Sequence, residues 1–173
     1  MKQVTLREFI EKELCGSIEQ TMVDFPYFAF GTIAIGIEFL GNCMDSDDWN
    51  AKHLSKKRFD KAINTLPSLT KYKDANLYTD LRCGMAHMMA PNNSLLVANN
   101  EGAYSAQDKT LYIKTFYQDF KEACQYLINN PALWGGNGKS PETIWWEVYE
   151  IENSNLTGNT MDSKTEQSDT KQQ

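Results

Sequence analysis

The chain has 173 residues, 41% of them hydrophobic and 12% aromatic, enough to close one core without disulfides or a structural metal. Its 17 Lys and Arg against 23 Asp and Glu leave a net charge of −6, which excludes a protein that coats duplex DNA through a broad cationic face. The most apolar stretch, Phe25 to Leu40, contains Pro26, two glycines and Glu38 and is shorter than the ~20 residues of a bilayer crossing, so it predicts a core helix and no membrane span.

In chain order, Thr5 with Glu8 has the spacing of a capping box, and Leu6, Phe9, Ile10, Leu14, Ile18, Met22 and Phe25 recur at three and four residues. This predicts an amphipathic helix. Pro26 resets the chain, and Tyr27 to Leu40 reads as a helix apolar on most sides, the most buried element of the fold. Gly41, Asn42, Asp45, Asp47 and Asp48 then predict a solvated acidic loop. Ser55 caps a basic helix whose buried stripe is Phe59, Ala62, Ile63 and Leu66, and Pro67 closes it.

Asp74 is the candidate cap of the next helix, in which Leu77 or Tyr78, Leu81, Met85 and Met88 recur before Pro91. Between Asn92 and Ile113 the period changes, and Leu95 to Val97, Asn99-Asn100-Glu101-Gly102 and Leu111 to Ile113 predict a small hairpin or structured insertion. Phe116, Tyr117, Phe120, Ala123, Cys124, Leu127 and Ile128 restore the helical pattern until Pro131. Ser140-Pro141-Glu142 reads as a helix start into Ile144, Trp145, Trp146, Val148 and Tyr149, with a strand as the alternative for that β-branched and aromatic run.

The expected organisation is one mainly α domain over residues 1–152, about five helices with a small β-hairpin insertion, and a disordered polar tail over 153–173. Met1 to Leu14 carries charge throughout, unlike a secretory leader. Cys15, Cys43, Cys83 and Cys124 are far apart and form no Cys-x-x-Cys pair, so reduced thiols in a cytoplasmic protein are expected.

Concentrated chemistry occurs once, in Leu81-Arg82-Cys83-Gly84-Met85-Ala86-His87. A guanidinium on a core-lining helix is costly to desolvate unless it faces a cleft or a partner. Glu38, a lone acid in an apolar helix, is its natural counterpart, either orienting it for function or neutralising it in a structural pair. On an ideal helix Arg82 and His87 diverge by about 140°, so a shared site requires a loosened turn or a second subunit.

The segments Ile35-Gly36-Ile37-Glu38-Phe39-Leu40-Gly41, Tyr78 to His87 and Phe116-Tyr117-Gln118-Asp119-Phe120 together resemble the HEPN family, helical bundles marked by Arg, four to six residues, then His. The resemblance implies a metal-independent endoribonuclease of the defence or toxin kind, acting as a homodimer on single-stranded RNA, with a protein antitoxin as a possible partner and no cofactor. Arg82 would stabilise the phosphate and His87 would serve as general acid or base, with Glu38 and Cys83 in support. Cys83 departs from the family pattern, which usually has a polar residue after the Arg. A catalytically inactive domain binding RNA, nucleotide or protein, and a helical interaction protein with a structural Arg82–Glu38 pair, remain open alternatives.

Lys52, Lys56, Lys57 and Arg58 form a basic run that reads as the wet face of a helix or as a guide for RNA. His53 has no second histidine near it, and the aspartates lack the Gly and Glu of a calcium loop, so no metal is expected. Trp134, Trp145 and Trp146 read as core or interface.

Overall fold

The computed structural model describes residues 2–148. The tail expected over 153–173 lies outside the described residues. The order of elements is β1 (Lys2–Thr5), α1 (Leu6–Glu8), a π-helical stretch (Phe9–Leu14), α2 (Cys15–Asp24), α3 (Pro26–Met44), α4 (Ser55–Thr65), a 3-10 stretch (Pro67–Tyr72), a second π-helical stretch (Tyr78–Cys83), α5 (Gly84–Met88), β2 (Leu96–Ala98), β3 (Thr110–Tyr112), α6 (Ile113–Asn129), a 3-10 turn (Pro131–Leu133) and β4 (Ile144–Val148). The chain is mainly helical, as expected.

Thr5 both ends β1 and caps α1. Its side chain accepts from the Glu8 amide at 3.2 Å while the Glu8 carboxylate accepts from the Thr5 amide at 3.3 Å, the reciprocal pair its spacing predicted. Leu6, Ile10, Cys15 and Ile18 bury the inner face of this helical run, whereas Phe25 stays exposed at its end.

Pro26 occupies the first turn of α3, where its missing N–H costs nothing. This helix runs past Leu40 to Met44, so Gly41 and Asn42 belong to it and not to a loop. Gly41 is required there by proximity: a Cβ would lie 1.7 Å from the Arg58 carbonyl oxygen of α4. α3 is long and apolar enough to cross a membrane by length and composition, but 61% of its most apolar window is buried within the fold. It packs on α2, α4, α6 and the Tyr78–Cys83 stretch. Phe30 stacks on Phe116, which meets Tyr72 edge-on, and all cysteines are free thiols.

Several boundaries differ from the expectation. Leu54 precedes the first residue of α4, and Ser55 makes no capping bond. The helix expected after Asp74 starts at Tyr78, because residues 73–76 form a turn ending in Asn76 with φ 49. The expected hairpin is instead a parallel pair, with Leu96, Val97 and Ala98 opposite Thr110, Leu111 and Tyr112. The connection over 99–109 is strapped back along α6 by Thr115 Oγ1 donating to Gly102 O at 2.7 Å and by Lys114 pairing with Glu101 at 2.8 Å, so β3 enters in the same direction as β2.

The helix expected after Ser140 is a strand. Ile144 to Val148 pairs antiparallel with Lys2 to Thr5, and the Thr143 and Pro141 carbonyls accept from the amides of Leu6 and Arg7 at 2.8 and 2.9 Å. Branched and aromatic side chains suit that pairing, and β1 supplies the partner strand. Trp134 is buried and donates its indole N–H to Leu127 O at 3.0 Å. Trp145 joins Phe9, Phe39 and Trp49 in a half-exposed aromatic cluster, and the Trp146 side chain falls outside the described part.

Candidate functional site

Arg82 sits in the Tyr78–Cys83 stretch, whose wide turn presses it against α3. Its Nε donates to Glu38 Oε2 at 2.7 Å, with the side chains 23% and 19% exposed. Among the described residues no hydrogen bond falls on Nη1 or Nη2. Arg82 lines a concavity of about 180 Å³ whose other walls include Phe28, Thr32, Ile35, Met85 and Met89. One edge of the guanidinium is therefore spent on orientation and its fork stays free.

Tyr78 completes this cluster. The Arg82 guanidinium carbon lies 6.0 Å from its ring centre. Burial, then Cys83, push the phenol above its ordinary value, while Arg82 pulls the other way. The structure thus brings together Glu38, Tyr78, Arg82 and Cys83.

His87 lies on α5, exposed, with no hydrogen bond or ion pair to any described residue, and it does not line the concavity that holds Arg82. The widened turn ends at Cys83, and Gly84–Met88 is regular α-helix, so the loosening stops one residue after Arg82 and does not span the interval to His87. Gly84 serves a different purpose: the chain reverses at Met89, with φ 55, and the Ala90 carbonyl oxygen comes to 2.4 Å from where a Gly84 Cβ would stand. Tyr27 ties this reversal to α3 by donating to Met89 O at 2.9 Å. Met88, next to His87 in sequence, is 67% exposed, and Met89, Phe28 and Ile35 are exposed large apolar residues as well.

The chain matches no family model, no curated protein and no solved structure. Its functional reading therefore rests on its own residues.

The basic run is divided by the fold. Arg58 is only 5% exposed, donates to Asp48 O at 2.6 Å and Trp49 O at 3.1 Å, and faces Asp45, so it belongs to the interior and not to a wet face. Lys57 pairs with Asp47 at 3.0 Å and Lys56 with Asp60; Lys52 is exposed without an ion pair among the described residues. The acidic loop is likewise not uniformly solvated, because Asp45 is buried. Burial alone would raise the Asp45 carboxyl, but the Asp47 amide, Lys57 and Arg58 together hold it below the usual carboxylate range. His53 is exposed.

Three buried polar groups were missed by sequence reasoning. Lys139 is 3% exposed and donates to the carbonyls of Asn42, Asp45 and Asp47 at 2.9, 2.9 and 2.6 Å, closing the C-terminal end of α3. Burial, then Arg58, lower its ammonium from lysine's ordinary range. Asp119 accepts from Tyr72 and Lys71, and Asp80 from Asn93 at 2.7 Å. An acid inside an apolar stripe, the pattern that singled out Glu38, also marks Asp119; nothing in Gly135-Gly136-Asn137-Gly138-Lys139 marks the lysine.

Proposed function

We propose that this chain is a HEPN-type, metal-independent endoribonuclease of the defence or toxin kind that acts as a homodimer on single-stranded RNA. The observation that carries this reading is the guanidinium of Arg82, held at Nε by Glu38 with no hydrogen bond on either Nη atom among the described residues, while His87 stands exposed on the following helix. A ribose 2′-oxygen would form a bond to phosphorus as the bond from phosphorus to the 5′-oxygen breaks. One imidazole takes the 2′-hydroxyl proton and another returns a proton to the leaving oxygen, which is why two copies are needed. Arg82 holds the charge that builds on the phosphate oxygens. The exposed Phe28, Ile35, Met88 and Met89 supply an apolar surface that a second copy would cover, bringing two His87 rings towards two Arg82 forks.

The test is cleavage of single-stranded RNA in excess chelator. Cyclic phosphate ends, lost in His87→Ala protein that keeps its circular dichroism and Tm, are expected. Intact RNA at high enzyme would overturn the reading.

That His87 does not line the Arg82 concavity favours a second reading, a catalytically silent domain that binds RNA, nucleotide or a protein partner at the same place. Binding without cleavage would establish it.

A further inference from the structure

A second concavity, of about 190 Å³, opens between α4, the Pro67–Tyr72 stretch and the start of the Tyr78–Cys83 stretch. Lys56, Asn64, Lys73, Asn76 and Tyr78 line it, with Phe59 beneath. It is smaller than the roughly 300 Å³ at which drug-sized ligand sites begin, so it suits one base or one phosphate and not a whole cofactor.

Its charge is uneven. Lys56 is paired with Asp60, which also lines the concavity, whereas Lys73 is exposed with no side-chain hydrogen bond or ion pair among the described residues. Asn64 Nδ2 donates to Asp60 O at 2.7 Å and Asn76 Nδ2 reaches Asp80 at 3.4 Å, which leaves both amide oxygens as acceptors. The walls thus offer one unneutralised cation and two acceptors for an exocyclic amino group.

Tyr78 joins this concavity to Arg82. Its ring has the Lys56 ammonium 5.9 Å and the Arg82 guanidinium carbon 6.0 Å from its centre, so cations flank a half-buried aromatic. Single strands are bound by this combination, backbone phosphates on cations and bases on rings or amide edges. In a chain of net charge −6 such a track has to be local.

We propose that this concavity is a subsite for the nucleotide next to the one held at Arg82 in a single-stranded RNA, with its phosphate on Lys73 and its base edge on Asn64 and Asn76. The placement of the strand rests on the ribonuclease reading; the binding itself does not.

Binding of a short fluorescently labelled single-stranded RNA to full-length His87→Ala protein tests it, by anisotropy across a salt series. Lys73→Ala is expected to weaken binding about 3- to 10-fold and to lower the salt slope by about one, while Lys12→Ala, which removes an exposed lysine outside the concavity, leaves both unchanged. Lys73→Arg should restore the affinity. In the cleaving protein, Lys73→Ala should raise KM and spare kcat. Equal weakening by Lys73→Ala and Lys12→Ala, no weakening by Lys73→Ala, or no RNA binding at all would overturn the subsite. Binding that depends on Lys73 without cleavage by the wild type would keep the subsite and remove the nuclease.

Discussion

Arg82 Nε and Glu38 Oε2 meet at 2.7 Å across 44 positions of sequence, joining the Tyr78–Cys83 stretch to the middle of the core helix. Only one of the three guanidinium nitrogens is used in that contact. A purely structural pair gains most from bidentate geometry, whereas a single Nε contact fixes the plane of the group and leaves the fork for a ligand. Arg82→Lys is therefore expected to keep the fold, with a Tm near that of the wild type, and to lose about 10²- to 10³-fold in RNA cleavage, because an ammonium cannot reproduce the fork. Single-turnover cleavage and thermal melts on the same preparations check it.

Removing either partner leaves a charge in a partly enclosed place. Arg82→Ala and Glu38→Ala should each cost about 1–3 kcal/mol, the double variant should cost less than their sum, and the coupling read from urea titrations should approach about 1–2 kcal/mol. Strict additivity would mean that the two groups do not support each other.

The exposed apolar side chains of Phe28, Ile35, Met88 and Met89 are expected to form an interface. Met88→Glu and Ile35→Glu should leave the monomer's helical content unchanged and shift sedimentation from dimer to monomer, with cleavage falling in step. A wild type that sediments as a monomer at every concentration would rule out the shared site.

The Asp45 carboxyl is held below its ordinary range by the Asp47 amide, Lys57 and Arg58, which outweigh its burial. A carboxylate whose folded value is lowered contributes stability above its unfolded value, about 3.9, and loses it as pH falls through the folded value. The wild type should therefore lose stability below about pH 4 more steeply than Asp45→Asn, which is less stable at pH 7 and flatter in acid. Urea midpoints across that range would show it.

Lys139 closes the end of α3 on the carbonyls of Asn42, Asp45 and Asp47. Lys139→Met keeps the length of the stem and removes the donors, and should cost about 2–4 kcal/mol in urea unfolding, since buried acceptors would be left without partners. A loss under about 0.5 kcal/mol would mean that water replaces the ammonium without cost.

Where periodicity is strong, the chain is legible without coordinates. Thr5 and Glu8, the stripe from Phe59 to Leu66 and that from Phe116 to Ile128 each lie where spacing of three and four puts them, because a helix buries whatever recurs on one face. Glu38 against Arg82 was legible for a related reason: two charges among apolar residues have few ways to avoid isolation. The parallel pairing of β2 with β3 was not, since a direction of entry depends on how residues 99–109 are strapped to α6 and no local pattern records it. Nor was the strand at Ile144, where local propensity admits both forms until β1 is beside it.

The sequence by itself determined a mainly helical chain, its principal helices and the pairing of Glu38 with Arg82, because spacing and desolvation act through neighbours that periodicity already specifies. Only the tertiary structure decided that Arg58 and Lys139 turn inward while Lys73 and His87 stay outside. Burial of a long cationic side chain depends on which carbonyls and carboxylates other segments bring within its reach.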